Sequence, residues 1–134
     1  MGNWASQEKS SDSRDTGAAW EIAFYEDIVR RDPGYVEVLW LLGGLYTSNK
    51  MYAKGLKVDQ RLATLKKHDP VVYYNLACSY SLLNQADKAF EALDRAAALG
   101  YRDADHMDDD DDLVNVRADP RYAQAVARMR SRKS

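Results

Sequence analysis

Apolar residues along this chain recur three and four positions apart, which is the spacing of one face of an α-helix. No stretch sustains the apolar–polar alternation that is typical of a half-buried strand. The pattern predicts five helices of about 12–17 residues, and the short turns between them force neighbouring helices to pack antiparallel. Their apolar faces run from Trp20 to Ile28, Tyr35 to Tyr46, Tyr52 to Leu65, Tyr73 to Leu83 and Ala86 to Leu99.

Proline and glycine mark the corners between the predicted helices. Each proline follows an aspartate, in the pairs Asp32-Pro33, Asp69-Pro70 and Asp119-Pro120. An aspartate side chain can accept from the free N–H groups at a helix start, and proline tolerates the first helical position. Proline also pushes the residue before it out of the α conformation. We therefore predict that each pair closes one helix and opens the next, and that Gly100 caps the end of the fifth.

The sequence also repeats itself at a period of 34 residues. Leu42-Gly43-x-x-Tyr46 recurs as Leu76-Ala77-x-x-Tyr80, and Gly55 corresponds to Ala89 at the same shift of 34. Small residues at these positions allow close approach of helix axes, while the tyrosines fill the wider gaps. This combination, together with the Asp-Pro corners, resembles the tetratricopeptide repeat. The resemblance spans about Thr16 to Leu99 and implies an all-α fold, an α–α superhelix of antiparallel helix pairs with about 2.5 repeats and a C-terminal cap.

The repeats and the charges divide the chain into three parts. We predict a flexible N-terminal segment over 1–14, one helical-repeat domain over 15–130 and a basic tail over 131–134. Within the domain, the predicted repeats cover about 15–33, 34–69 and 70–100, and a degenerate cap covers 101–130. Trp20 is expected to cover the open N-terminal end of this stack.

Three features depart from the repeat pattern. The interval between Asp32-Pro33 and Asp69-Pro70 exceeds the period, which predicts extra residues at Lys66–His68. Asp59 stands where the repeat usually carries a large apolar residue. A shift of 34 from Leu76 reaches Asp110, inside a run of aspartates over 108–112, so we expect no complete further repeat. Instead we predict a short helix near 103–107, a turn or short helix near 113–116 and a last helix over about 120–129.

Composition and charge exclude several classes of protein. A chain of 134 residues with 46% hydrophobic and 30% charged residues fits one globular domain. Its longest apolar run, Val38–Leu42, is far shorter than the ~20 residues of a membrane-spanning helix. The single cysteine, Cys78, rules out an internal disulfide and agrees with a reducing, cytoplasmic location. A net charge of −2 gives no overall attraction to nucleic acid, so we expect neither nucleic-acid nor integral membrane contact.

The residue types give little support to catalysis, a metal or a cofactor. His68 and His106 are the only histidines, and the sequence offers neither a partner at ligand spacing such as i, i+4. Cys78 has no basic neighbour that would lower its pKa. Read as a calcium loop from Asp103, the acidic run lacks the required glycine and glutamate. We predict no enzyme activity, no cofactor and no metal, and the run is either a solvated turn that caps short helices or part of a binding surface.

The resemblance implies a concave groove lined by the first helix of each pair. Carried onto this sequence, the groove positions are Glu37, Trp40, Leu41, Gly44, Thr47, Val71, Tyr74, Asn75, Cys78, Ser81, Asp105, Asp108, Asp109 and Asp112. The groove is then apolar at one end and acidic at the other. Relatives that clamp a C-terminal carboxylate carry Lys, Asn and Arg at several of these points, and only Asn75 agrees here. Complementarity predicts a partner segment with an apolar anchor and basic residues.

Two functions remain open from the sequence. The first is a non-catalytic adaptor that binds a peptide or helix of a partner protein, with Trp40 and Tyr74 as exposed anchors. The second is a self-associating, homodimeric helical-repeat protein, because open ends of a short stack expose apolar surface. Trp40 is either the best hot-spot residue of the chain or a core residue under the first helix.

Overall fold

The computed structural model describes the backbone of residues 2–131 and the side chains of residues 17–131. The described residues form helices and turns without a β-strand, which confirms the all-α fold class. Along the chain lie α1 (Gly2–Arg31), α2 (Val36–Ser48), α3 (Tyr52–Leu65), α4 (Pro70–Leu82), α5 (Ala86–Ala98), α6 (Ala104–Asp109), the 3₁₀ helix η1 (Asp111–Val116) and α7 (Pro120–Arg130). Each of the helices from α1 to α5 packs against the next.

The starts of the helices keep the period seen in the sequence. The first helices of successive pairs begin at Val36, Pro70 and Ala104, and the second helices begin at Tyr52, Ala86 and Pro120. Each start therefore lies 34 residues after the previous start in its series. The repeat is a property of the fold as well as of the side-chain pattern.

Hydrogen bonds between neighbouring pairs repeat at the same interval. The hydroxyl of Tyr46 on α2 donates to the carboxylate of Glu26 on α1. One period later, the Tyr80 hydroxyl on α4 accepts from the side-chain amide of Gln60 on α3 at 3.1 Å. These bonds join the first helix of one pair to the second helix of the pair before it.

Glycine allows α2 and α3 to pack closely, as predicted. A Cβ atom at Gly43 would lie 3.2 Å from Val58, and one at Gly55 would lie 3.3 Å from Thr47. These separations are tighter than ordinary van der Waals contact, so larger residues would push the two helices apart. Gly100 ends α5 as predicted, with a φ of +112° that favours glycine.

The Asp-Pro corners behave in two different ways. Asp69 caps α4, where its carboxylate accepts from the backbone N–H of Val71 at 2.9 Å. Asp32 does not cap α2, whose N-cap residue is Tyr35 without a side-chain capping hydrogen bond. The prediction that Asp32-Pro33 opens a helix is therefore wrong, because a turn through Gly34 comes before α2. The extra residues of this unit lie in that turn and not at Lys66–His68, since α4 follows α2 by one period.

The closing segment is a third helix pair whose first helix is broken. The elements α6 and η1 stand in the register of α2 and α4, and α7 stands in that of α3 and α5. The break falls at Asp110, whose carboxylate accepts from the backbone N–H of Asp112 at 3.0 Å and starts η1. Arg121 of α7 bonds to Asp87 of α5, which lies 34 residues earlier. The predicted short helix near 103–107, short helix near 113–116 and last helix over about 120–129 are confirmed, and the break in the first helix makes this repeat incomplete.

The two ends of the chain differ from the sequence prediction in extent. Helix α1 begins at Gly2 rather than near Thr16. The side chains of residues 1–16 lie outside the described residues, so the flexibility of segment 1–14 stays a prediction, as does the behaviour of tail residues 132–134. Trp20 does not cover the end of the stack, since it is 66% exposed and stacks on Phe24 with ring centroids 5.5 Å apart. Within the described part of the chain, none of the helices combines the length and apolarity needed to cross a bilayer.

Candidate functional site

A cleft of about 490 Å³ opens between the first helices of two successive pairs. Helices α2 and α4 form its walls, α3 forms its floor, and η1 closes one side. We call this space the concave cleft, and its lining residues are Trp40, Gly43, Gly44, Thr47, Ser48, Asp59, Leu62, Asn75, Cys78, Ser79, Leu82 and Asp112.

Part of the predicted groove lines this cleft. The predicted residues found there are Trp40, Gly44, Thr47, Asn75, Cys78 and Asp112. They come from three separate elements, so the repeat register did identify side chains that the fold brings together. Trp40 is half-buried: it packs against the core and also lines the cleft, and its role as a hot-spot residue stays a prediction.

The other predicted residues lie elsewhere. Glu37, Leu41 and Val71 are exposed on α2 and α4 but outside the cleft lining. Tyr74 and Ser81 are buried in the core, with Tyr74 only 3% exposed. The expectation that Tyr74 is an exposed anchor is therefore wrong, because its ring stacks on Tyr101 with centroids 4.5 Å apart.

The acidic residues of α6 turn away from the cleft. Asp105 and Asp108 both lie within ion-pair distance of Arg130 on α7, at 3.1 and 3.5 Å. Asp108 also accepts from the hydroxyl of Tyr122 at 2.8 Å. Asp109 is exposed and does not line the cleft. Contacts with α7 at Asp105 and Asp108, and exposure of Asp109, therefore replace the predicted position of these aspartates on the concave wall.

The wall of the cleft that α2 forms carries no side chain at Gly44. A Cβ atom at Gly44 would meet no atom within 4 Å, so nothing of the protein fills the space above this residue. The hydroxyls of Thr47 and Ser48 donate back to the carbonyls of Gly43 and Gly44, at 3.1 and 2.8 Å. Their oxygens keep free lone pairs that can accept from a ligand.

Three polar groups in the lining are unused within residues 17–131. The indole N–H of Trp40, the carboxamide of Asn75 and the carboxylate of Asp112 make no side-chain hydrogen bond to another described residue. Buried polar groups are normally hydrogen-bonded, and half-buried groups like these rely on water or a ligand. The cleft thus offers a ligand one hydrogen-bond donor at Trp40, one group that both donates and accepts at Asn75, and one negative charge at Asp112.

Asp59 brings a second carboxylate to the cleft. Its carboxylate accepts from the Ser79 hydroxyl at 2.5 Å, and its side chain is almost fully buried. Burial raises the pKa of Asp59 to about 6, against the smaller lowering effect of the Ser79 hydrogen bond. At neutral pH this carboxylate is mostly ionised, and among the described residues no cation is paired with it.

The cleft is therefore negative. Burial raises the pKa of Asp112, and the neighbouring charges of Asp110 and Asp111 raise it further. The described lining includes two carboxylates and no basic side chain. A cation bound in the cleft beside either carboxylate would relieve the unfavourable burial of its charge.

A cluster of titratable side chains lies behind Asp112. Asp110 accepts from the hydroxyl of Tyr74 at 2.6 Å and from the thiol of Cys78 at 3.7 Å, and His106 Nε2 lies 3.3 Å from the same carboxylate. The prediction that His106 lacks a partner at i, i+4 spacing is therefore wrong, because Asp110 is that partner. Burial raises the pKa of the Cys78 thiol well above its ordinary value, so the thiol is protonated and a poor nucleophile at neutral pH.

The same cluster holds the best candidate ligands for a metal. The Cys78 sulfur and one oxygen each of Asp110 and Asp112 lie within 4.8 Å of one another. A metal would require the Cys78 thiolate and the Asp110 oxygen, and the first is disfavoured by burial while the second already accepts from Tyr74. The arrangement fits a satisfied hydrogen-bond network better than a set of metal ligands.

The sequence analysis identified Asp59 as a departure from the repeat but did not assign it to the site, and it missed its partner Ser79. One period earlier the equivalent positions are Tyr25 and Leu45, and one period later they are Leu93 and Leu113. A polar pair replaces an apolar pair in the central unit alone. A search for paired departures from the repeat would have found these two residues.

Comparison with known proteins identifies the type of fold but not the function. No family model matches the chain, and no curated protein matches its sequence. Among solved structures, the crystal structure of MamA is similar, with 22% sequence identity and a TM-score of 0.61. The matched region covers 88% of this chain and 80% of MamA. This similarity, with the helix order above, shows a helical fold like that of the tetratricopeptide repeat.

Proposed function

We propose that this chain is a non-catalytic protein-interaction module of the tetratricopeptide-repeat family, which holds a peptide or helix of a partner protein in the concave cleft. An apolar anchor of the partner packs on Trp40, and a basic side chain lies between Asp112 and Asp59. The observation that carries the proposal is the combination of a half-buried indole with two carboxylates that form no ion pair with a described Lys or Arg. Electrostatic complementarity favours a basic partner over an acidic one.

The architecture of the cleft favours binding without rearrangement. Its side chains are carried by the packed helices α2, α3 and α4 and by η1, so little conformational entropy opposes docking. Asn75 can pair with a backbone amide of an extended segment, since a carboxamide both donates and accepts. The open space above Gly44 leaves room for the partner's main chain to approach α2.

The titratable groups support a role in binding rather than in catalysis. The Cys78 thiol is held protonated by burial, and burial also raises the pKa of Tyr74. We therefore include no cofactor and no metal in the proposal. The free cysteine supports a reducing compartment, and we place the protein in the cytoplasm on that ground.

A displayed peptide library tests this function directly. Random 12-residue peptides are selected on the immobilised full chain and on four variants. Trp40→Ala removes the apolar surface, and Asp112→Asn removes one charge of the cleft. Their matched controls are Trp20→Ala, which removes an exposed indole from α1, and Asp111→Asn, which changes the neighbouring aspartate outside the lining.

The proposal predicts a defined outcome for this selection. Enriched peptides combine an aromatic or aliphatic residue with Arg or Lys, and they bind the two control variants as they bind the unchanged chain. Binding falls at least tenfold for each cleft variant, while circular dichroism shows unchanged helicity. Enrichment of acidic peptides, or equal losses for Trp20→Ala and Trp40→Ala, would contradict the assignment of the cleft.

A second candidate function is homodimerisation through the N-terminal end of the stack. It is favoured by the stacked and largely exposed rings of Trp20 and Phe24 on α1, which present apolar surface to solvent. Light scattering separates the two candidates. A mass that doubles with concentration and returns to that of a monomer in Trp20→Ala supports the dimer, and a constant monomer mass rejects it.

A further inference from the structure

A second cavity lies between α1 and α3, outside the lining of the concave cleft. Its volume is about 410 Å³. The side chains at its base are mainly apolar, and those at its edge are mainly basic. We call it the α1–α3 pocket, and its lining residues are Glu26, Val29, Arg30, Pro33, Leu39, Leu42, Tyr46, Lys54, Lys57, Val58 and Arg61.

The basic residues at the edge fall into two groups. Arg30 pairs with Asp27 at 2.7 Å, and Lys54 lies 3.8 Å from Glu26. Lys57 and Arg61 are exposed, and within residues 17–131 they have no carboxylate in ion-pair distance and no aromatic ring beneath them. Because they are four positions apart on α3, they stand on the same side of the helix, at the edge of the pocket.

The next pair of helices provides an internal comparison. Shifting Leu39 and Arg61 by 34 residues gives Tyr73 and Arg95. There the Arg95 guanidinium lies over the Tyr73 ring, 5.5 Å from its centroid. At the α1–α3 pocket the leucine is too small to support the arginine in this way. The cavity is therefore open, and among the described residues Arg61 has no ring beneath it, whereas the following repeat closes the same position with the contact between Arg95 and Tyr73.

We propose that the α1–α3 pocket is a second docking site, which takes a segment of a partner protein that carries an acidic residue next to an aliphatic or aromatic side chain. The apolar side chain enters the cavity over Leu39 and Val58, and the carboxylate pairs with Lys57 and Arg61. Charge complementarity selects this occupant, because the pocket is basic whereas the concave cleft is acidic. The small concave volume fits individual side chains better than the flat surface of a bilayer.

This second site gives the protein two docking surfaces of opposite charge. The cleft accepts basic segments and the α1–α3 pocket accepts acidic ones, so the two sites do not compete for the same partner chemistry. The pocket does not depend on the function proposed for the cleft. Loss of one binding activity with retention of the other separates the two proposals.

Fluorescence anisotropy tests the second site with a defined probe. The probe is a fluorescein-labelled 12-residue peptide of glutamate, leucine and phenylalanine, and its counterpart has lysine in place of every glutamate. The test variant is the double change Lys57→Glu with Arg61→Glu. Arg95→Glu is the control for the change at Arg61, since it reverses one charge at the equivalent, closed position, whereas the double variant reverses two. Leu39→Tyr introduces the ring that closes the next repeat, and its melting curve reports whether this buried change is tolerated.

We expect the acidic probe to bind the unchanged chain, the Arg95→Glu chain and the Trp40→Ala chain with affinities within about twofold. The double variant weakens binding at least tenfold, and the lysine counterpart does not bind at this site. Equal weakening by Arg95→Glu would overturn the proposal, since it would indicate attraction by overall charge. Absence of probe binding would also overturn it.

Two other occupants are distinguished by the same set of variants. The chain could bind vesicles of phosphatidylglycerol and phosphatidylcholine through Lys57 and Arg61 without binding the peptide. That result would assign the pocket to an anionic lipid surface and reject the proposal. The chain could also self-associate in sedimentation experiments and lose this self-association in the double variant, without binding the peptide. That result would assign the pocket to a second copy of the chain and reject the proposal.

Discussion

Replacing Asp59 by asparagine should stabilise the protein at neutral pH. Asp59 is almost fully buried, and its pKa is raised to about 6 from an ordinary value of 3.8. That difference corresponds to about 3 kcal/mol of unfavourable free energy for the ionised form in the folded state, at about 1.36 kcal/mol per pKa unit. Asparagine keeps a similar shape and can still pair with the Ser79 hydroxyl, but it carries no charge to bury.

The sign of the pH dependence follows from the direction of this shift. Below a pH of about 3.8, Asp59 is protonated in both states and contributes no penalty. As the pH rises to about 6, the unfolded chain releases this proton while the folded chain retains it, so stability falls. Above that pH the full penalty is present. Asp119 contributes in the opposite sense: its pKa is lowered to about 2, so its stabilising contribution is present above about pH 3.8 and is lost as the pH falls towards 2.

Urea unfolding followed by circular dichroism at pH 4 to 8 measures this effect. We expect Asp59→Asn and the unchanged chain to be equally stable near pH 4, and the variant to be more stable by about 1–3 kcal/mol near pH 7.5. Ser79→Ala should move the decline to higher pH, because the Ser79 hydrogen bond lowers the pKa of Asp59. A difference between Asp59→Asn and the unchanged chain that does not vary with pH would refute this reasoning.

Five further substitutions test the contributions of a glycine, of left-handed residues and of helix caps. Gly44→Ala should raise the melting temperature, with a gain of up to about 1 kcal/mol in helix propensity, because its methyl group meets no protein atom; it should also weaken peptide binding in the cleft. Lys50→Gly should stabilise the chain by about 1 kcal/mol in urea unfolding, since Lys50 has a left-handed φ of 62°, and Asn84→Gly should gain less because asparagine tolerates this conformation. Asp119→Ala should cost about 1 kcal/mol in the same assay through loss of the α7 cap, whereas Asp32→Ala, at a corner without such a cap, should change little.

Repetition in the sequence explains why most of the fold could be predicted. Small residues such as Gly43 and Gly55 fix how closely paired helices approach, and the same constraint recurs one period later. The turn after Pro33 was misplaced because an Asp-Pro pair has two possible roles, ending one helix or starting another. Only the geometry of Tyr35 and α2 distinguishes these roles at Asp32.

The candidate site was less predictable because it depends on the break at Asp110. Helical register alone does not show that Asp105 and Asp108 pair with Arg130 on α7 or that Asp109 stays exposed outside the cleft. The capping of η1 by Asp110 leaves Asp112 as the acidic residue of the cleft from this segment. Competition between a side-chain cap and helix continuation is decided by local hydrogen bonds, which hydrophobic periodicity does not report.

Two side-chain resonances test the central claim most directly. In a ¹H–¹⁵N spectrum of the full chain, a 12-residue peptide of arginine, leucine and phenylalanine is added stepwise. We predict that the indole N–H of Trp40 and the carboxamide of Asn75 shift with saturation, while the indole N–H of Trp20 stays in place. Saturating shifts at Trp20 with Trp40 and Asn75 unmoved would contradict the assignment of the concave cleft as the binding site.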